Sequence, residues 1–436
     1  MKDISIKQII EEKAENSQVT ALGWIKSIRT SKNRLFVDVQ DSTGTIQVIV
    51  DSGMLADNVK LKLEQSVKVC GAVQLNKKTA MKELIATSIE VVGDVQKLLR
   101  PNPRSEFDIF NSKYTNYVQE NRHLFIRNPK VMAALRARDL VKRAVHNWFS
   151  KNGFVEITAP ILTPILLYTE DTGIGVNVND QDVFLTQCVA FYLESAVHAF
   201  EKVYNIGPSF RGAESISPRH LTEYWHVKAE IAFCPFEEMF TLVESLISSI
   251  AREVAPQSDE ICKALGLEPV FDEALKTPFP RITYRDAIQL CNSNHIDAQF
   301  GKSLSGAAEE FLTEYFHSPV WVTHNARSIE GFPYKICDFD RELTYTADLI
   351  GSCGGGEILG IADKITNYDE LALRLAEKGK GDNANYNWFK ELRNYGTVPH
   401  CGVGMGLERL IKWLYRLPHV REAIPFPRSM GRKIDV

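Results

Sequence analysis

The chain has 436 residues, of which 44% are hydrophobic and 24% charged, and its formal net charge at pH 7 is −4. This length allows two or three domains with sizeable cores. The acidic balance excludes a protein that is basic over its whole surface, but it leaves room for local basic patches that could contact nucleic acid.

The N-terminal segment and the cysteines bear on location. The first residues are charged and contain no apolar signal core, and no run approaches the ~18 apolar residues of a membrane span. Eight cysteines are scattered without any C-x-x-C pair, which disfavours a structural zinc site and a disulfide framework. We therefore predict a soluble, cytoplasmic protein with no membrane partner.

Short β-rich segments separated by turn signals run from about residue 18 to 95. Residues 19–25 and 35–39 show partial alternation, and Asp41–Gly44 predicts a turn before a further strand at 45–50. Such a series predicts a small closed barrel, for which the OB-fold is the natural candidate, although another small β-barrel or sandwich has the same composition. We expect an N-terminal barrel domain over 1–95, followed by a linker over 96–128.

A long helix is predicted from about Pro129 to Lys151, because its apolar positions recur at helical spacing and Asn152-Gly153 gives a helix end. Residues 154–160 predict a strand that stops at proline. Strands are predicted to dominate up to 233 and again over 318–415, while 235–316 is predicted to be a helical insertion. The C-terminal domain, 129–436, is thus predicted as a mostly antiparallel sheet flanked by helices, and the chain as α+β.

Two segments carry most of the chemistry. Residues 210–224 gather two arginines, a histidine, two carboxylates and an aromatic ring, and their spacing predicts two antiparallel strands joined by a polar loop that wraps a nucleoside triphosphate. Such a cluster alone is more often a solvated surface. Residues 402–410 form a second, Gly-rich element that ends in Arg409. A dinucleotide fingerprint is the rival interpretation of these glycines, but only 27 residues follow Arg409, too few for the required strand, helix and strand.

In this order the two segments resemble motifs 2 and 3 of the class II aminoacyl-tRNA synthetases, and residues 129–160 resemble motif 1, which builds the homodimer in that family. Residues 395–400 and 424–428 resemble the asparagine enzymes of the asparagine and aspartate branch. The resemblance covers nearly all of residues 18–430. It implies an AMP-forming ligase of protein biosynthesis that uses ATP and Mg²⁺ to activate an amino acid, asparagine by default, and transfers it to the 3′ end of a tRNA.

The resemblance also implies the nucleotide-binding residues. It assigns Arg211 to the α-phosphate, His220 to the terminal phosphates and Tyr224 to the adenine ring. Attack of a carboxylate on the α-phosphate requires fixed positive charge where negative charge accumulates. The implied ATP-binding set is Arg211, Arg219, His220, Tyr224, Glu357, Gly406 and Arg409, with Arg211, His220, Glu357 and Arg409 as the catalytic residues.

Three further sets of residues follow from the resemblance. Asp348 and Glu357 flank a Gly-rich bend and are the implied Mg²⁺ ligands. Two exposed carboxylates on a hairpin, without a metal-binding role, would give the same sequence pattern. The implied anticodon-binding residues are Arg29, Phe36 and Gln47, with Phe36 stacking on a base. The implied amino-acid-binding residues are Gln187, Ala190, Glu194, Lys228, Glu230 and Lys364.

Departures from the family pattern cluster around the amino-acid pocket. Ala213 stands where motif 2 has an acid, Ala190 where the family has a glutamine, and Lys228 where it has an acid. Lys335 and Lys364 replace arginines, and an Arg-to-Lys change is not conservative where arginine makes two parallel hydrogen bonds. These changes are either drift or the mark of a paralogue that kept the ATP chemistry. If they are functional, we expect weak activation of asparagine or preference for a related acid.

Two other functions remain open at this point. One is a biosynthetic ligase that joins the activated acid to a small amine or to ammonia, and the other is a non-catalytic tRNA-binding protein. The presence of Phe36 and Gln47 favours tRNA over a small acceptor. The presence of Arg211, Glu357 and Arg409 argues against an inactive enzyme.

Overall fold

A computed structural model describes residues 4–55, 60–105, 107–212 and 219–434 of the chain. It divides into two compact units, one formed by Met1–Ile109 with Leu124–Pro129 and the other by Phe110–His123 with Lys130–Val436. The segment predicted as a linker, 96–128, carries two short helices and is shared between the units. The predicted boundaries at 95 and 128 stay predictions.

The first unit contains a closed barrel of five strands in the order β1-β2-β3-β5-β4, which confirms the predicted N-terminal barrel. The elements are helix α1 (Ile6–Glu12) and strands β1 (Gln18–Ser31), β2 (Arg34–Gln40), β3 (Thr45–Asp51), β4 (Ser66–Leu75) and β5 (Lys82–Gly93). Alternate residues such as Val37, Val39 and Val48 point inward and are fully buried. This alternation is the period of two that the sequence shows.

The predicted turn at residues 41–44 is confirmed and has a clear cause. Asp41 Oδ1 accepts hydrogen bonds from the backbone N–H groups of Thr43 at 2.7 Å and Gly44 at 3.0 Å, so the side chain closes the turn between β2 and β3. Its Oδ2 accepts from the N–H of Ile6 at 2.9 Å and thereby holds α1 on the barrel. One aspartate therefore fixes both the hairpin and the helix that packs on it.

The second unit is built on an eight-stranded sheet in the order β12-β13-β14-β15-β16-β11-β10-β6, with a separate three-stranded sheet β7-β9-β8. Its strands are β6 (Val155–Glu156), β7 (Leu162–Thr163), β8 (Ile174–Val178), β9 (Gln181–Leu185), β10 (Lys202–Phe210), β11 (Glu223–Ala232), β12 (Arg281–Thr283), β13 (Val320–Thr323), β14 (Thr346–Gly351), β15 (Gly356–Asp363) and β16 (His400–Gly406). All neighbours in the large sheet are antiparallel except the two outermost pairs, β12 with β13 and β6 with β10.

After the barrel the chain forms the helices α2 (Thr115–Glu120), α3 (Arg122–Phe125), α4 (Pro129–Lys151), α5 (Ala190–Phe200), α6 (Phe236–Val254), α7 (Asp259–Leu265), α8 (Phe271–Ala274), α9 (Tyr284–Ser293), α10 (Gly306–Phe316), α11 (Tyr368–Glu377), α12 (Asn387–Glu391) and α13 (Leu407–Tyr415), of which α3 is divided between the two units. Helices α4, α6 and α13 share the main hydrophobic core with the large sheet. The predicted helix 129–151 is confirmed. Proline begins it, where no backbone donor is needed, and Gly153 follows its end with φ +77°. No helix within the described ranges is long and apolar enough to cross a membrane.

Two expectations about secondary structure need correction. The strand predicted over 154–160 has only the two residues of β6. The prediction that strands dominate 318–415 is wrong, because α11, α12 and α13 lie there. In α13, Leu407, Leu410, Ile411 and Leu414 are buried at helical spacing, so the sequence contains a periodic signal for this helix.

Candidate active site

A cavity of about 630 Å³ lies over the centre of the eight-stranded sheet. Its walls come from β11, β14, β15, β16 and the first turn of α13. Most of the predicted site residues of this unit line it, namely Ala190, Arg211, Arg219, His220, Tyr224, Lys228, Glu230, Asp348, Glu357, Lys364, Gly406 and Arg409. Gln187 and Glu194 do not appear on its wall, and Ala213 lies outside the described residues. Arg29, Phe36 and Gln47 belong to the first unit.

The floor of the cavity is formed by side chains of β11 that lie across β16. Tyr224, His226, Lys228 and Glu230 alternate along β11 and face the cavity. Lys228 pairs with Gly404 and Glu230 with Gly402. A methyl group on either glycine would overlap the lysine or the carboxylate. The glycine-rich element predicted around 402–406 therefore gives two charged side chains room on the sheet.

The two motifs meet because β11 and β16 are adjacent strands. The predicted hairpin is confirmed, since β10 and β11 run antiparallel with Phe210 opposite Glu223, although residues 213–218 of its loop are outside the described part. At the start of α13, Glu408 Oε2 accepts from the backbone N–H of Trp225 at 3.0 Å. This contact fixes the helix that carries Arg409 against the strand that follows Arg211.

The nucleotide end of the cavity, as we call the part around Arg211, Arg219, His220 and Arg409, is strongly cationic. Arg409 makes an ion pair with Glu357 at 3.2 Å and lies 3.4 Å from His220 Nε2. Arg219 contacts Glu309 of α10. The Nε of Arg211 is buried and has no hydrogen-bond partner among the described residues, which leaves a charged donor available to a ligand. An anion with several acceptor oxygens would satisfy these groups.

Burial and the neighbouring arginines determine the charge of His220. Burial first, and then Arg409 and Arg211, lower the pKa of His220 to about 4. The imidazole is therefore neutral at physiological pH and acts as a hydrogen-bonding group. Burial likewise raises the pKa of Tyr224 to about 12, so its phenol stays protonated.

Three carboxylates approach one another beside the nucleotide end. Asp348 on β14 and Glu357 on β15 line the cavity together with Glu330, which the sequence analysis missed. Asn325 Nδ2 donates to Asp348 Oδ2 at 2.8 Å and to Glu330 Oε1 at 2.9 Å. Burial, Glu357 and Glu330 raise the pKa of Asp348 well above its usual range. A cation bound here would offset this repulsion. Among the described residues, no group of three or more His, Cys, Asp or Glu side chains is placed to hold a metal ion.

The amino-acid end, as we call the opposite part of the cavity, is closed by a buried network of charges. Lys364 Nζ lies 3.0 Å from Glu230 Oε1 and 3.4 Å from Glu194 Oε1. Arg393 donates to Glu194 Oε2 at 2.5 Å, and His400 Nε2 lies 3.3 Å from the same oxygen. Against the effect of burial, Arg393 and Lys364 hold the pKa of Glu194 well below its usual range. The second oxygen of Glu230, Oε2, is buried and has no hydrogen-bond partner in the part of the chain that the structure describes.

Two predicted amino-acid-binding residues do not line the cavity but contact residues that do. Glu194 is fully buried and holds Lys364 and Arg393. Gln187 Oε1 accepts from the backbone N–H of Tyr168 at 3.1 Å, and its Nε2 donates to Thr172 Oγ1 at 2.8 Å, so its amide supports the loop around Tyr168. Sequence reasoning missed Glu309, Arg393 and Tyr334, whose ring lies 5.1 Å from Lys364 Nζ. These contacts join segments that are distant in the sequence, so no local sequence pattern predicts them.

On the barrel, three predicted residues share the outer face of β1, β2 and β3. Arg29 is paired with Phe36 across β1 and β2, and Gln47 is opposite Asp38 across β2 and β3. The Arg29 guanidinium lies 3.6 Å from Asp38. Phe36 is half-buried, unlike the inward-facing Val37 beside it. The face therefore presents an aromatic ring flanked by a cation and an amide, groups that suit an unstacked base.

Comparison with known proteins shows to which family the chain belongs. Residues 115–430 match the family described as tRNA synthetases class II (D, K and N), and residues 19–92 match the OB-fold nucleic acid binding domain of the tRNA anti-codon family. The asparagine–tRNA ligase of Thermoplasma acidophilum is 32% identical over 434 residues, which span 98% of this chain and 99% of the relative. That of Thermococcus gammatolerans is 31% identical and spans 97% of each chain.

Solved structures agree with these relatives. Asparaginyl-tRNA synthetase from Pyrococcus horikoshii, in complex with asparaginyl-adenylate, has a TM-score of 0.89 at 29% identity, with 99% of each chain covered. The Entamoeba histolytica enzyme, also with asparaginyl-adenylate, has a TM-score of 0.85 at 27% identity, with 97% of each chain covered. By its fold, its cavity and these matches, the chain belongs to the class II tRNA synthetases of the D, K and N family.

Proposed function

We propose that the chain activates asparagine with ATP and transfers it from the adenylate to a tRNA. The observation that carries this proposal is a cavity that has, at one end, a buried arginine donor without a hydrogen-bond partner among the described residues, Arg211 Nε, and at the other a paired lysine and carboxylate. The two relatives compared above, which match 98% and 97% of the chain, are asparagine–tRNA ligases. A ligase with a small-molecule acceptor, or a non-catalytic protein, is not favoured.

The amino-acid end suits a carboxamide. Glu230 Oε2 lacks a donor, and the amide nitrogen of asparagine can donate to it. A lysine ammonium has three donors, and the two carboxylates near Lys364 leave one for the amide oxygen. Aspartate would place a second negative charge against Glu230, which is a cost in a buried site. Asparagine is therefore preferred over aspartate.

The nucleotide end suits ATP. Arg211 binds the α-phosphate through its free Nε, Arg219, His220 and Arg409 bind the outer phosphates, and Tyr224 lies under the adenine. Gly406 lines the cavity beside Arg409. Asp348 and Glu357 would hold Mg²⁺, which supplies charge neutralisation for the triphosphate when bound. These groups are fixed before the nucleotide arrives, so little reorganisation accompanies the reaction.

The reaction needs no side-chain nucleophile. A carboxylate oxygen of asparagine attacks the α-phosphorus, the bond to the β-phosphate oxygen breaks, and pyrophosphate leaves with the bonding electrons. A hydroxyl of the tRNA 3′ end then attacks the carbonyl carbon of the adenylate, and AMP leaves. Arg211 and Arg409 stabilise the negative charge that builds at the α-phosphate.

The outer face of the barrel supplies the tRNA contact in this proposal. Phe36 stacks on an anticodon base, Gln47 hydrogen-bonds to it, and Arg29 approaches the backbone phosphates. Eight unpaired cysteines suit a reducing compartment, so we place the reaction in the cytoplasm.

The active assembly is proposed to be a two-fold homodimer. In the second unit, β6 is an edge of the large sheet, and apolar side chains near it are 40–65% exposed. These are Val155, Ile161, Leu162, Phe200 and Phe233. Phe200 and Phe233 are neighbours, because the N–H of Ala232 donates to the carbonyl of Glu201. An isologous interface over this edge would cover both the open strand and the apolar residues.

ATP–pyrophosphate exchange with a panel of amino acids, run with and without tRNA, tests the proposal. We expect exchange with asparagine that does not require tRNA, and little with aspartate. The panel includes asparagine analogues modified at the amino group or the side chain, which addresses Ala190, Lys228, Lys335 and Lys364. Absence of exchange with any of the twenty amino acids would overturn the proposed function, and preference for an analogue would show that these substitutions altered the substrate.

A further inference from the structure

A lysine that forms no ion pair with any described residue lies in the middle of the cavity floor. Lys228 lies on β11 between His226 and Glu230, and its half-buried side chain crosses β16 at Gly404. No carboxylate lies within ion-pair distance of it among residues 4–55, 60–105, 107–212 and 219–434. Burial and the positive charge of Lys228 lower the pKa of His226 well below its usual range, so the neighbouring imidazole is neutral.

Four acids of the cavity wall already have partners. Glu230 is paired with Lys364 through Oε1, Glu357 with Arg409, and Glu309 with Arg219. Asp348 accepts a hydrogen bond from Asn325. A half-buried cation that forms no ion pair with any of them is costly unless a ligand supplies the opposite charge. The cavity is thus prepared to receive an anion at Lys228.

The position of Lys228 along β11 indicates which anion it would bind. Residues two apart on a strand lie about 6.6 Å apart on the same face. Tyr224 and His226 lead toward the nucleotide end, and Glu230 marks the amino-acid end. In asparagine only two carbon atoms separate the carboxamide from the carboxylate. A ligand whose amide contacts Glu230 and Lys364 therefore presents its carboxylate near Lys228, on the side of the phosphates.

We propose that Lys228 is a catalytic residue that binds the substrate carboxylate and neutralises charge as this carboxylate attacks the α-phosphorus of ATP. The inference rests on the proposed function and adds a residue to it. Adenylate formation brings two anions together, and a cation between them offsets their repulsion. A carboxylate oxygen bonds to phosphorus, the electron pair of the broken bond leaves with pyrophosphate, and Lys228 keeps its proton throughout.

The test uses the full-length protein and compares Lys228→Met with Lys228→Arg. We expect Lys228→Met to lower kcat for asparagine-dependent exchange by about 10²–10³-fold, as for loss of other charge-stabilising donors, and Lys228→Arg to recover part of it. The exposed Lys263→Met serves as the matched control and should exchange like the wild type. Unfolding midpoints for all variants report on folding.

A binding measurement separates a carboxylate contact from simple packing. Asparagine and asparaginol differ only in that asparaginol has a hydroxymethyl group in place of the carboxylate. Lys228→Met should bind asparagine at least about tenfold more weakly while binding asparaginol like the wild type. If the variant exchanges normally, or loses both ligands equally, the inference is wrong and the proposed function stands. If the wild type does not exchange asparagine at all, both are wrong. Better exchange with succinamate, which lacks the amino group, would show that Lys228 repels an ammonium and would also overturn the inference.

Discussion

At the nucleotide end of the cavity, arginines and a neutral histidine surround space that only a ligand can fill, whereas at the amino-acid end two buried carboxylates already have a lysine, an arginine and a histidine as partners. Arg211 keeps an unsatisfied Nε, while Glu194 is contacted by three cationic or hydrogen-bonding groups. The first end therefore leaves an arginine donor for an anionic ligand. The second is nearly neutral within itself and offers single donors and acceptors, as a neutral carboxamide requires.

The largest expected effect comes from breaking the network at the amino-acid end. Arg393→Met removes a fully buried partner of Glu194 and leaves that carboxylate undercompensated. We expect the free energy of unfolding of the second unit to fall by about 3–5 kcal/mol, because an uncompensated buried charge is costly. Chemical denaturation followed by tryptophan fluorescence measures this. Arg252→Met, at an exposed arginine, is the control. If Arg393→Met lowered the free energy of unfolding by no more than Arg252→Met does, the idea that Arg393 neutralises Glu194 would be wrong.

Arg211→Ala tests the other end. It should reduce pyrophosphate exchange at least about a hundredfold, because the donor aimed at the α-phosphate is lost. Since Arg211 forms no ion pair with the described residues, its removal should leave the unfolding midpoint unchanged. Arg409→Ala should lower exchange by a similar factor and also release Glu357. If Arg211→Ala lowered the free energy of unfolding as much as Arg393→Met does, the proposed difference between the two ends of the cavity would be wrong.

A smaller effect is expected on the barrel. Phe36→Ala should weaken tRNA binding by about 1–3 kcal/mol, the usual contribution of one base stack. Exchange without tRNA should stay at the wild-type rate, since both ends of the cavity are unaltered. Filter binding and exchange assays on the same preparation measure the two quantities. Equal tRNA affinity of wild type and variant would show that the outer face of β2 does not read the anticodon.

The smallest expected effect is a pH dependence of stability from His220. Its pKa is about 4 when folded and about 6.5 in an unfolded chain, so the unfolded state binds more protons between these values. The free energy of unfolding should therefore rise with pH from about 4 to 6.5 and level off above. His220→Asn should flatten part of this slope. Denaturation curves across the range check it, and an unchanged slope would mean that burial and the neighbouring arginines do not lower the pKa of His220.

The sequence predicted the parts of this molecule that depend on local pattern. The helix at 129–151, the turn at Asp41 and the hairpin of β10 and β11 follow from periodicity, glycine and turn residues, and the cavity gathers most of the predicted residues. What sequence could not predict is pairing between distant segments. Arg393 with Glu194, and Glu330 with Asp348 through Asn325, depend on the way the strands and loops assemble. Residue roles likewise remain predictions until they are measured.

The depth of the cavity is determined by residues that have no side chain. Gly402 and Gly404 on β16 let Glu230 and Lys228 lie flat, so one methyl group at either position would push a charged side chain up into the space the substrate occupies. Substrate range could therefore be changed from β16 without replacing Lys228 or Glu230. Saturation of positions 402 and 404 belongs in an engineering library for altered specificity.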